Sequence, residues 1–306
     1  MKKKIRILIT GSRGFVGKNL KIFFKNKSEL IVFSDKKSNY DLSKKKNFKK
    51  LFEITKPQVI IHLASRTISE SNSYKENKLQ LKNTYKPIKN LIECIKYQKN
   101  LEKIIFLGTI EEYGNAKMPY SENSKAKPIS SYGKSKLNCI NFIKKKLKNK
   151  KVRFIWLRPS LMFGPFDNRR RFLGSIFNSL KNKKTTSIYL DNQVRDYLYV
   201  NDLIRFIYYN LIKKKLPDIN ILNVTNENWV YLRLVLNTLA KMTDGKIRKY
   251  LKLKKTSNNS KLINSGKLIQ KNYPNFKFTN FTYALKKTLR SYNIVNFHGS
   301  TKILQK

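Results

Sequence analysis

The chain has few cysteines and no long apolar run. Its 306 residues include two cysteines, Cys94 and Cys139, and neither lies at metal-ligand spacing. The sequence therefore predicts neither a disulfide framework nor a metal site, which is typical of a protein in a reducing cytoplasm. No uncharged apolar stretch approaches the roughly 20 residues that cross a bilayer. We therefore expect a soluble cytoplasmic protein with no membrane partner.

Acidic residues are also scarce. The chain has 18 Asp and Glu against 67 Lys and Arg, a net charge of +49. Such a charge is typical of nucleic-acid-binding proteins. The lysines, however, are spread over nearly every segment, which favours a generally basic surface without a specific nucleic-acid partner. An apolar content of 40% and 12% aromatic residues exclude a disordered chain.

Short apolar runs alternate with longer stretches of helical period in the first half. The predicted strands are residues 4–9, 30–33, 58–62, 103–107 and 153–157, and the clearest predicted helices are 77–97 and 131–148. The strands lack polar alternation, as strands buried on both faces do. Pro87 should kink or restart the first of these helices. The pattern predicts an α/β fold, a Rossmann-like doubly wound parallel sheet, with ligands at the carboxyl ends of its strands.

The alternation of short apolar runs and helical stretches becomes less regular after residue 160. Helices are predicted near residues 172–180 and 200–211, with a strand at 187–190 and a mixed α+β remainder. We expect two lobes in one chain: a nucleotide-binding Rossmann domain at residues 1–160, and a smaller, mainly substrate-binding lobe at 161–306. The strand and helix near residues 185–212 are expected to pack back onto the first lobe.

Three of the 11 glycines lie between the first predicted strand and the helix after it. Gly11 permits a tight turn, Gly14 lets the backbone approach a pyrophosphate, and Gly17 allows the helix to pack closely on the strand. The free N–H groups at the start of that helix would bind the phosphates. The motif predicts a site for a dinucleotide cofactor.

Asp35 follows the second predicted strand, where a carboxylate would accept hydrogen bonds from the adenosine ribose of NAD. Arg13, Lys36 and Lys37 could instead pair with the 2′-phosphate of NADP. The choice between NAD and NADP stays open.

Tyr132 and Lys136 have the spacing that places two side chains on one face of a helix. The spacing alone carries little weight, because nine of the 17 tyrosines are followed by lysine four residues later. Position distinguishes Tyr132, which begins the helix after the strand ending in Leu107-Gly108-Thr109. A neighbouring ammonium and an oxidised nicotinamide would favour the tyrosine phenolate, so Tyr132 is predicted to transfer a proton.

Together these residues resemble the extended short-chain dehydrogenase/reductases, the NAD-dependent epimerase/dehydratase family of nucleotide-sugar enzymes. The likeness runs over nearly the whole chain. Its further motifs are His62-Leu63-Ala64, Tyr113-Gly114, Arg158-Pro159 with Gly164-Pro165, and Arg195-Asp196-Tyr197 with Val200-Asn201-Asp202.

The resemblance implies a role for each matching residue. Tyr132 would be the base, Lys136 would lower its pKa and hold the nicotinamide ribose, and Thr109 would hydrogen-bond the reacting sugar oxygen. Arg195 would bind the substrate diphosphate, with Glu111 also at the substrate. The remaining cofactor contacts would be Gly11, Arg13, Gly14, Phe15, Val16, Gly17, Asp35, Asp41, Leu42, Leu63 and Ala64. The family's helices at positions such as 131–148 pair across a dimer, so a homodimer is expected.

Two differences from the family's motifs restrict the activity expected of this chain. The family's 4,6-dehydratases carry Thr-Asp-Glu where this chain has Thr109-Ile110-Glu111, and isoleucine cannot donate a proton. Leu161 stands where many members have a substrate-contacting asparagine. The expected reaction is hydride transfer at sugar C4 of a nucleotide-diphosphate sugar, by a 4-epimerase or a 4-keto-reductase. The alternatives are a catalytically silent NAD(P) sensor, a dehydratase and, last, a nucleic-acid-binding protein.

Overall fold

The computed structural model describes residues 4–35, 40–67, 72–148, 150–167, 171–190, 192–212, 220–255 and 260–294. The strands are β1 (Ile5–Thr10), β2 (Leu30–Ser34), β3 (Val59–His62), β4 (Lys103–Leu107), β5 (Arg153–Pro159), β6 (Leu161–Phe163), β7 (Thr186–Leu190), β8 (Val194–Tyr199), β9 (Ile221–Val224), β10 (Trp229–Tyr231), β11 (Leu251–Lys255) and β12 (Lys261–Leu262). The α-helices are α1 (Phe15–Phe24), α2 (Lys45–Thr55), α3 (Tyr74–Gln80), α4 (Lys86–Cys94), α5 (Ser131–Leu147), α6 (Phe172–Asn182), α7 (Val200–Ile212), α8 (Leu232–Met242), α9 (Lys267–Asn272) and α10 (Phe281–Ser291).

Six strands form one parallel sheet in the order β2-β1-β3-β4-β5-β9. Successive residues of β1 point to opposite faces, so Ile7 and Ile9 enter one core and Leu8 enters the other. Helices α1, α7 and α9 cover the first face, and α2, α4 and α5 cover the second. The expected doubly wound, Rossmann-like fold is confirmed.

The predicted helix at residues 77–97 is interrupted. It comprises α3, a π-helical turn at Leu81–Tyr85, α4, and a 3₁₀ turn at Ile95–Tyr97. Pro87 lies in the first turn of α4, directly after the π-helical turn, and its missing N–H gives no hydrogen bond to a carbonyl of that turn. The helix therefore restarts at the proline.

The remaining strands form two smaller sheets. In one, β8 pairs with β6, β10 and β12, and in the other, β7 pairs with β11. A separate apolar core between α6, α8 and α10 holds this lobe together. The predicted strand at 187–190 is thus β7, which pairs with β11 and does not join the six-stranded sheet. The helix α7 and the strand β9 do join the first lobe, although both lie beyond residue 160.

The five predicted strands of the sheet are present, with ends shifted by at most two residues. The sixth, β9, was missed. Within the described ranges, no helix is long and apolar enough to cross a membrane.

Candidate active site

The glycine loop joins the carboxyl end of β1 to α1. Gly11 has φ +72°, and a Cβ atom on it would lie 2.6 Å from the backbone nitrogen of Ala64. A Cβ on Gly17 would lie 2.4 Å from the carbonyl oxygen of Gly11. The loop, helix α1 and the Leu63-Ala64 segment after β3 are therefore in close contact only because both positions are glycine.

The start of α1 is open to a ligand. Gly14 is its N-cap residue, and no side chain among the described residues caps the helix there. Arg13 and Gly14 are exposed, Phe15 is half-buried and Val16 is buried. Uncapped N–H groups at a helix N-terminus bind anions well, so the geometry fits the pyrophosphate of a dinucleotide.

Asp35 faces this loop. Its carboxylate accepts hydrogen bonds from the Gly11 N–H (2.7 Å), the Ser12 N–H (3.1 Å) and the Ser12 hydroxyl (2.6 Å). The residue thus holds the loop in place, a role that the sequence did not suggest. Its predicted contact with a ribose stays a prediction. Lys36 and Lys37 lie outside the described residues.

The two cofactor contacts predicted at Asp41 and Leu42 differ in exposure. Asp41 is exposed, and its Oδ1 accepts a hydrogen bond from the Ser43 N–H (3.0 Å). Hydrogen bonding from the Ser43 side chain lowers the pKa of Asp41. Leu42 is buried in the core beneath α2 and α4. Asp41 is therefore the accessible member of the pair.

Tyr132 and Lys136 are buried on the inner face of α5. Ser130 caps this helix by accepting a hydrogen bond from the Gly133 N–H (3.0 Å). Lys136 Nζ donates to the carbonyl oxygen of Leu107 (2.6 Å) and lies 5.8 Å from the centre of the Tyr132 ring. The ammonium group thus links α5 to the carboxyl end of β4, beside the tyrosine.

Thr109 lies two residues beyond the end of β4. Its hydroxyl oxygen accepts a hydrogen bond from the Glu111 N–H (3.3 Å) and caps a 3₁₀ turn at Ile110–Glu112. A hydroxyl that accepts one hydrogen bond still has its own proton to donate. The carboxyl end of β4 therefore brings together Thr109 and, through the bond of Lys136 to Leu107, the start of α5 with Tyr132. Their catalytic roles stay predictions.

The surroundings of Tyr132 favour the protonated form of its phenol. Burial raises the pKa of the phenol well above its ordinary value, and the carboxylate of Glu111 acts in the same direction, while Arg171 acts against them. The expected effect of Lys136 and an oxidised nicotinamide on this phenol stays a prediction. Lys136 is itself buried, and burial lowers the pKa of its ammonium group.

Glu111 connects the two lobes. Its carboxylate accepts hydrogen bonds from Arg171 (2.8 Å) and from the Ser130 hydroxyl (2.8 Å). Arg171 precedes α6 in the smaller lobe, so this ion pair spans the two lobes beside Tyr132. Arg171 was missed from the sequence because it stands in a run of basic residues.

A buried ion pair holds the backbone at Thr109. Glu112 accepts hydrogen bonds from the Thr109 N–H (2.9 Å), the Trp156 indole (2.9 Å) and Arg158 (2.7 Å). Glu112 is fully buried, and Arg158 is 3% exposed. The Arg158 guanidinium also lies 4.5 Å from the centre of the Tyr113 ring. Glu112 therefore fixes the backbone of Thr109 to β5.

Arg195 is held by protein groups. Its guanidinium donates to the carbonyl oxygens of Val194 (3.0 Å) and Ser260 (2.7 Å), to Gln193 Oε1 (2.6 Å) and to the Ser260 hydroxyl (3.0 Å). A diphosphate could replace some of these acceptors. The predicted role of Arg195 in diphosphate binding stays a prediction.

Comparison with known proteins agrees with this geometry. The family model described as "NAD dependent epimerase/dehydratase family" matches residues 7–224. A dTDP-D-glucose 4,6-dehydratase of Dictyostelium discoideum is 29% identical over 255 residues, which are 72% of this chain and 58% of that enzyme. A GDP-6-deoxy-D-talose 4-dehydrogenase of Aggregatibacter actinomycetemcomitans is 29% identical over 223 residues, 70% of this chain and 72% of that enzyme.

Among solved structures, the chain is similar to a UDP-glucose 4-epimerase of Thermotoga maritima, with a TM-score of 0.80 and 20% identity. The similarity covers 94% of this chain and 98% of that one. The family model covers well over half of the chain and includes the glycine loop, Thr109, Tyr132 and Lys136. The chain belongs to the NAD dependent epimerase/dehydratase family of enzymes.

Proposed function

We propose that the chain catalyses NAD(P)-dependent hydride transfer at C4 of a nucleotide-diphosphate sugar, as a 4-epimerase or a 4-keto-reductase. The observation that carries this proposal is the arrangement of the two motifs along one sheet edge. The glycine loop follows β1, and Thr109 with Lys136 and Tyr132 lies at the end of β4, with only β3 between these strands. A cofactor bound along this edge would extend from one motif to the other.

The residues present suit such a cofactor. Gly11, Gly14 and the N-terminus of α1 would hold its pyrophosphate, and Leu63 and Ala64 would line its cleft. NAD(P), when bound, supplies or accepts the hydride. Lys136, placed beside Tyr132, would hold the nicotinamide ribose.

The chain's own residues would move the proton. When a C4 ketone is reduced, its carbon gains a hydride and its oxygen gains the proton of the Tyr132 hydroxyl. When a C4 alcohol is oxidised, Tyr132 accepts that proton as the hydride leaves. Thr109 would donate a hydrogen bond to the same oxygen and hold it near the phenol.

A 4,6-dehydratase fits less well. Ile110 is 1% exposed and packs against Tyr113 and Tyr120 in a small apolar cluster. No proton donor therefore stands at the position where dehydratases of this family carry aspartate. This leaves the reactions that need only Tyr132 and the hydride.

We also propose a homodimer formed through α3 and α5. A surface groove of about 620 Å³ lies between these helices, lined in part by Leu81, Tyr85 and Phe142. Analytical ultracentrifugation should give twice the chain mass, and Leu81→Asp should reduce it to one chain. A single-chain mass for the unaltered protein would contradict the dimer.

The first experiment is to purify the protein, denature it and identify the released nucleotide by mass spectrometry. Near-stoichiometric NAD would support a 4-epimerase that retains its cofactor. An empty protein that then binds NADH or NADPH exchangeably would support a 4-keto-reductase. A protein that neither contains nor binds either nucleotide would contradict the proposal.

The reaction itself needs a panel of UDP-, dTDP- and GDP-linked sugars and 4-keto sugars. Turnover of at least one should be lost in Tyr132→Phe while nucleotide binding remains. Equal nucleotide binding with no turnover of any panel member by the unaltered protein would favour the silent sensor.

A further inference from the structure

Four buried polar side chains meet where the two lobes join. Ser160 follows β5 and Thr225 follows β9, so both lie at the carboxyl edge of the six-stranded sheet. Asp196 lies in β8 and Asn264 follows β12, in the four-stranded sheet of the smaller lobe. All four residues are at most 3% exposed. The proposed reaction uses none of them, and their hydrogen bonds link one lobe to the other.

Asp196 accepts all of its hydrogen bonds at one carboxyl oxygen. Its Oδ2 accepts from the Ser160 hydroxyl, from the Thr225 hydroxyl (2.7 Å) and from the Asn264 N–H (3.3 Å). Its Oδ1 is buried, and within the described ranges no group donates to it. A buried acceptor without a donor costs free energy, and the cost is larger when the oxygen is charged.

The neighbouring hydroxyl groups cannot turn to this oxygen. Asn264 Nδ2 donates to Ser160 Oγ (3.0 Å), and the Glu227 N–H donates to Thr225 Oγ1 (2.8 Å). Each hydroxyl therefore accepts from one neighbour and gives its single proton to Asp196 Oδ2.

The cluster contains a second unused acceptor. Because Asn264 Nδ2 is bonded to Ser160, the other end of that amide is an oxygen, Oδ1, which is also buried and receives no hydrogen bond from the described part of the chain. A protonated carboxyl has one O–H donor and keeps a carbonyl oxygen as an acceptor. Three donors already surround Asp196 Oδ2, so the place for the proton is Oδ1. One proton thus makes Asp196 neutral and gives a cluster of surplus acceptors the donor that it lacks.

The charges around Asp196 favour the same form. Its neighbour Arg195 donates to Val194, Gln193 and Ser260 instead. The carboxylate of Glu227 acts on Asp196 and raises its pKa further. The other charged groups of the elements packed on β8 have partners of their own or stand opposite other residues: Asp202 with Arg205 in α7, Lys287 beside Tyr283 in α10, and Lys261 of β12 opposite Val194.

We propose that Asp196 is a pH-sensitive link between the two lobes: its protonated carboxyl holds β8 against the six-stranded sheet, and its ionisation weakens that hold. Burial outweighs the three hydrogen bonds and raises the pKa of Asp196 from 3.8 to about 6. Because the folded-state pKa is the higher one, the link is complete at low pH and is lost as pH rises through about 6. Strand β8 also carries Arg195, whose position therefore depends on the link.

Infrared spectroscopy of the purified full chain, without cofactor or substrate, tests where the proton is. A protonated carboxyl gives a carbonyl band above the amide I band, and ionisation removes it. The difference between the unaltered protein and Asp196→Asn should contain this band at about pH 5 and lack it at about pH 8.

Asp202→Asn is the matched control. Asp202 is 1% exposed, but both of its carboxyl oxygens have donors, since Arg205 and the Thr279 hydroxyl donate to Oδ1 and the Thr279 N–H donates to Oδ2. Its carboxylate is paired with a guanidinium, so its replacement should leave the acid band in place.

Hydrogen exchange measures the link itself. After correction for the intrinsic rate at each pH, protection of residues 260–266 should be about 10- to 100-fold lower at pH 8 than at pH 5 in the unaltered protein and in Asp202→Asn. In Asp196→Asn it should be the same at both pH values, because the amide keeps an acceptor oxygen and adds a donor that does not titrate.

An acid band at about pH 5 that Asp196→Asn does not remove would overturn the proposal, and is the result expected if a buried water donates to Oδ1. If Asp196→Asn does not fold, exchange in the unaltered protein and in Asp202→Asn decides, and protection that does not change with pH in either would overturn it. No nucleotide or sugar is present, so these results are separate from any failure of the proposed reaction.

Discussion

At the scale of single residues, burial distinguishes two tyrosines that share a spacing. Tyr132 precedes Lys136 by four residues and is 6% exposed, whereas Tyr74 precedes Lys78 by four and is 83% exposed. Of the two, Tyr132 lies near the end of β4, since the Lys136 ammonium beside its ring bonds the carbonyl oxygen of Leu107. Local spacing thus identifies a class of candidates, and the fold selects one of them.

Tyr132→Phe should lower kcat by about 10²- to 10⁴-fold, because the proton donor is lost. Tyr74→Phe should leave kcat unchanged. Steady-state rates on a sugar that the unaltered protein turns over, with nucleotide affinity measured in parallel, test both variants. Equal rates for the unaltered protein and Tyr132→Phe would remove Tyr132 from the mechanism.

Two glycines with the same backbone conformation provide a matched pair. Gly11 and Gly245 have φ +72° and +73°, but a Cβ on Gly245 would have no atom within 4 Å. Gly245→Ala should therefore lower the free energy of unfolding by about 1–2 kcal/mol, the strain of a left-handed residue. Gly11→Ala should lower it further and also weaken nucleotide binding, because its Cβ overlaps Ala64. Urea unfolding and calorimetric titration with NAD measure the two effects, and equal results at both positions would contradict this account.

Asp196 is fully buried, and burial raises its pKa to about 6. A raised pKa in the folded state means that its contribution to stability is complete below the unfolded value, 3.8, and is lost as pH rises through about 6. The free energy of unfolding falls by about 3 kcal/mol over this pH range. Asp196→Asn should abolish this part of the pH dependence, since an amide does not titrate there. Urea unfolding between pH 4 and 7 (roughly the window in which the carboxyl titrates) tests it, and parallel curves for both proteins would count against it.

At the scale of helices, alanine variants of two N-cap residues allow an effect on stability to be distinguished from an effect on activity. Ser130 caps α5, which carries Tyr132, and Asn280 caps α10 in the smaller lobe by accepting from the Tyr283 N–H (3.1 Å). Replacing either by alanine should cost about 1 kcal/mol of unfolding free energy. Only Ser130→Ala should also reduce kcat, because α5 then begins less rigidly at the proton donor. A reduced kcat in Asn280→Ala would show that stability alone controls the rate.

The sheet was largely predictable because five of its strands are short, continuous apolar runs. Strand β9 was missed because it has four residues, and Asn223 stands in its middle. The structure explains this asparagine: its side chain accepts a hydrogen bond from the Tyr113 hydroxyl (2.7 Å) and donates to the Tyr120 carbonyl oxygen (2.9 Å). A polar residue with buried partners does not follow the hydrophobic pattern from which strands are predicted.

The candidate catalytic residues Thr109 and Tyr132 were predictable for a similar reason, since each lies next to the end of a predictable strand or helix. The buried polar side chains of α3 and of the π-helical turn after it were not. Glu76, Gln80 and Thr84 have helical spacing, but in a chain so rich in lysine and asparagine such polar residues look like an exposed face. Only the three-dimensional structure shows that they are buried.

At the scale of the whole molecule, the net charge of +49 predicts weak, sequence-independent binding to duplex DNA. Affinity should fall steeply as salt rises and vanish near physiological ionic strength, whatever the DNA sequence. Fluorescence anisotropy with two unrelated duplexes over a salt series measures this. Tight binding of one duplex that persists at high salt would instead favour a nucleic-acid-binding function.

The buried pair of Glu112 and Arg158 has a consequence for how this chain can change over generations. Replacing one partner alone leaves an uncompensated buried charge, which costs about 3–5 kcal/mol, whereas replacing both by apolar residues of similar volume can be neutral. Loss of this ion pair without a large loss of stability therefore requires that both residues be replaced within a short evolutionary time. The pair should be inherited as a unit among descendants of this sequence, and its two members should vary together.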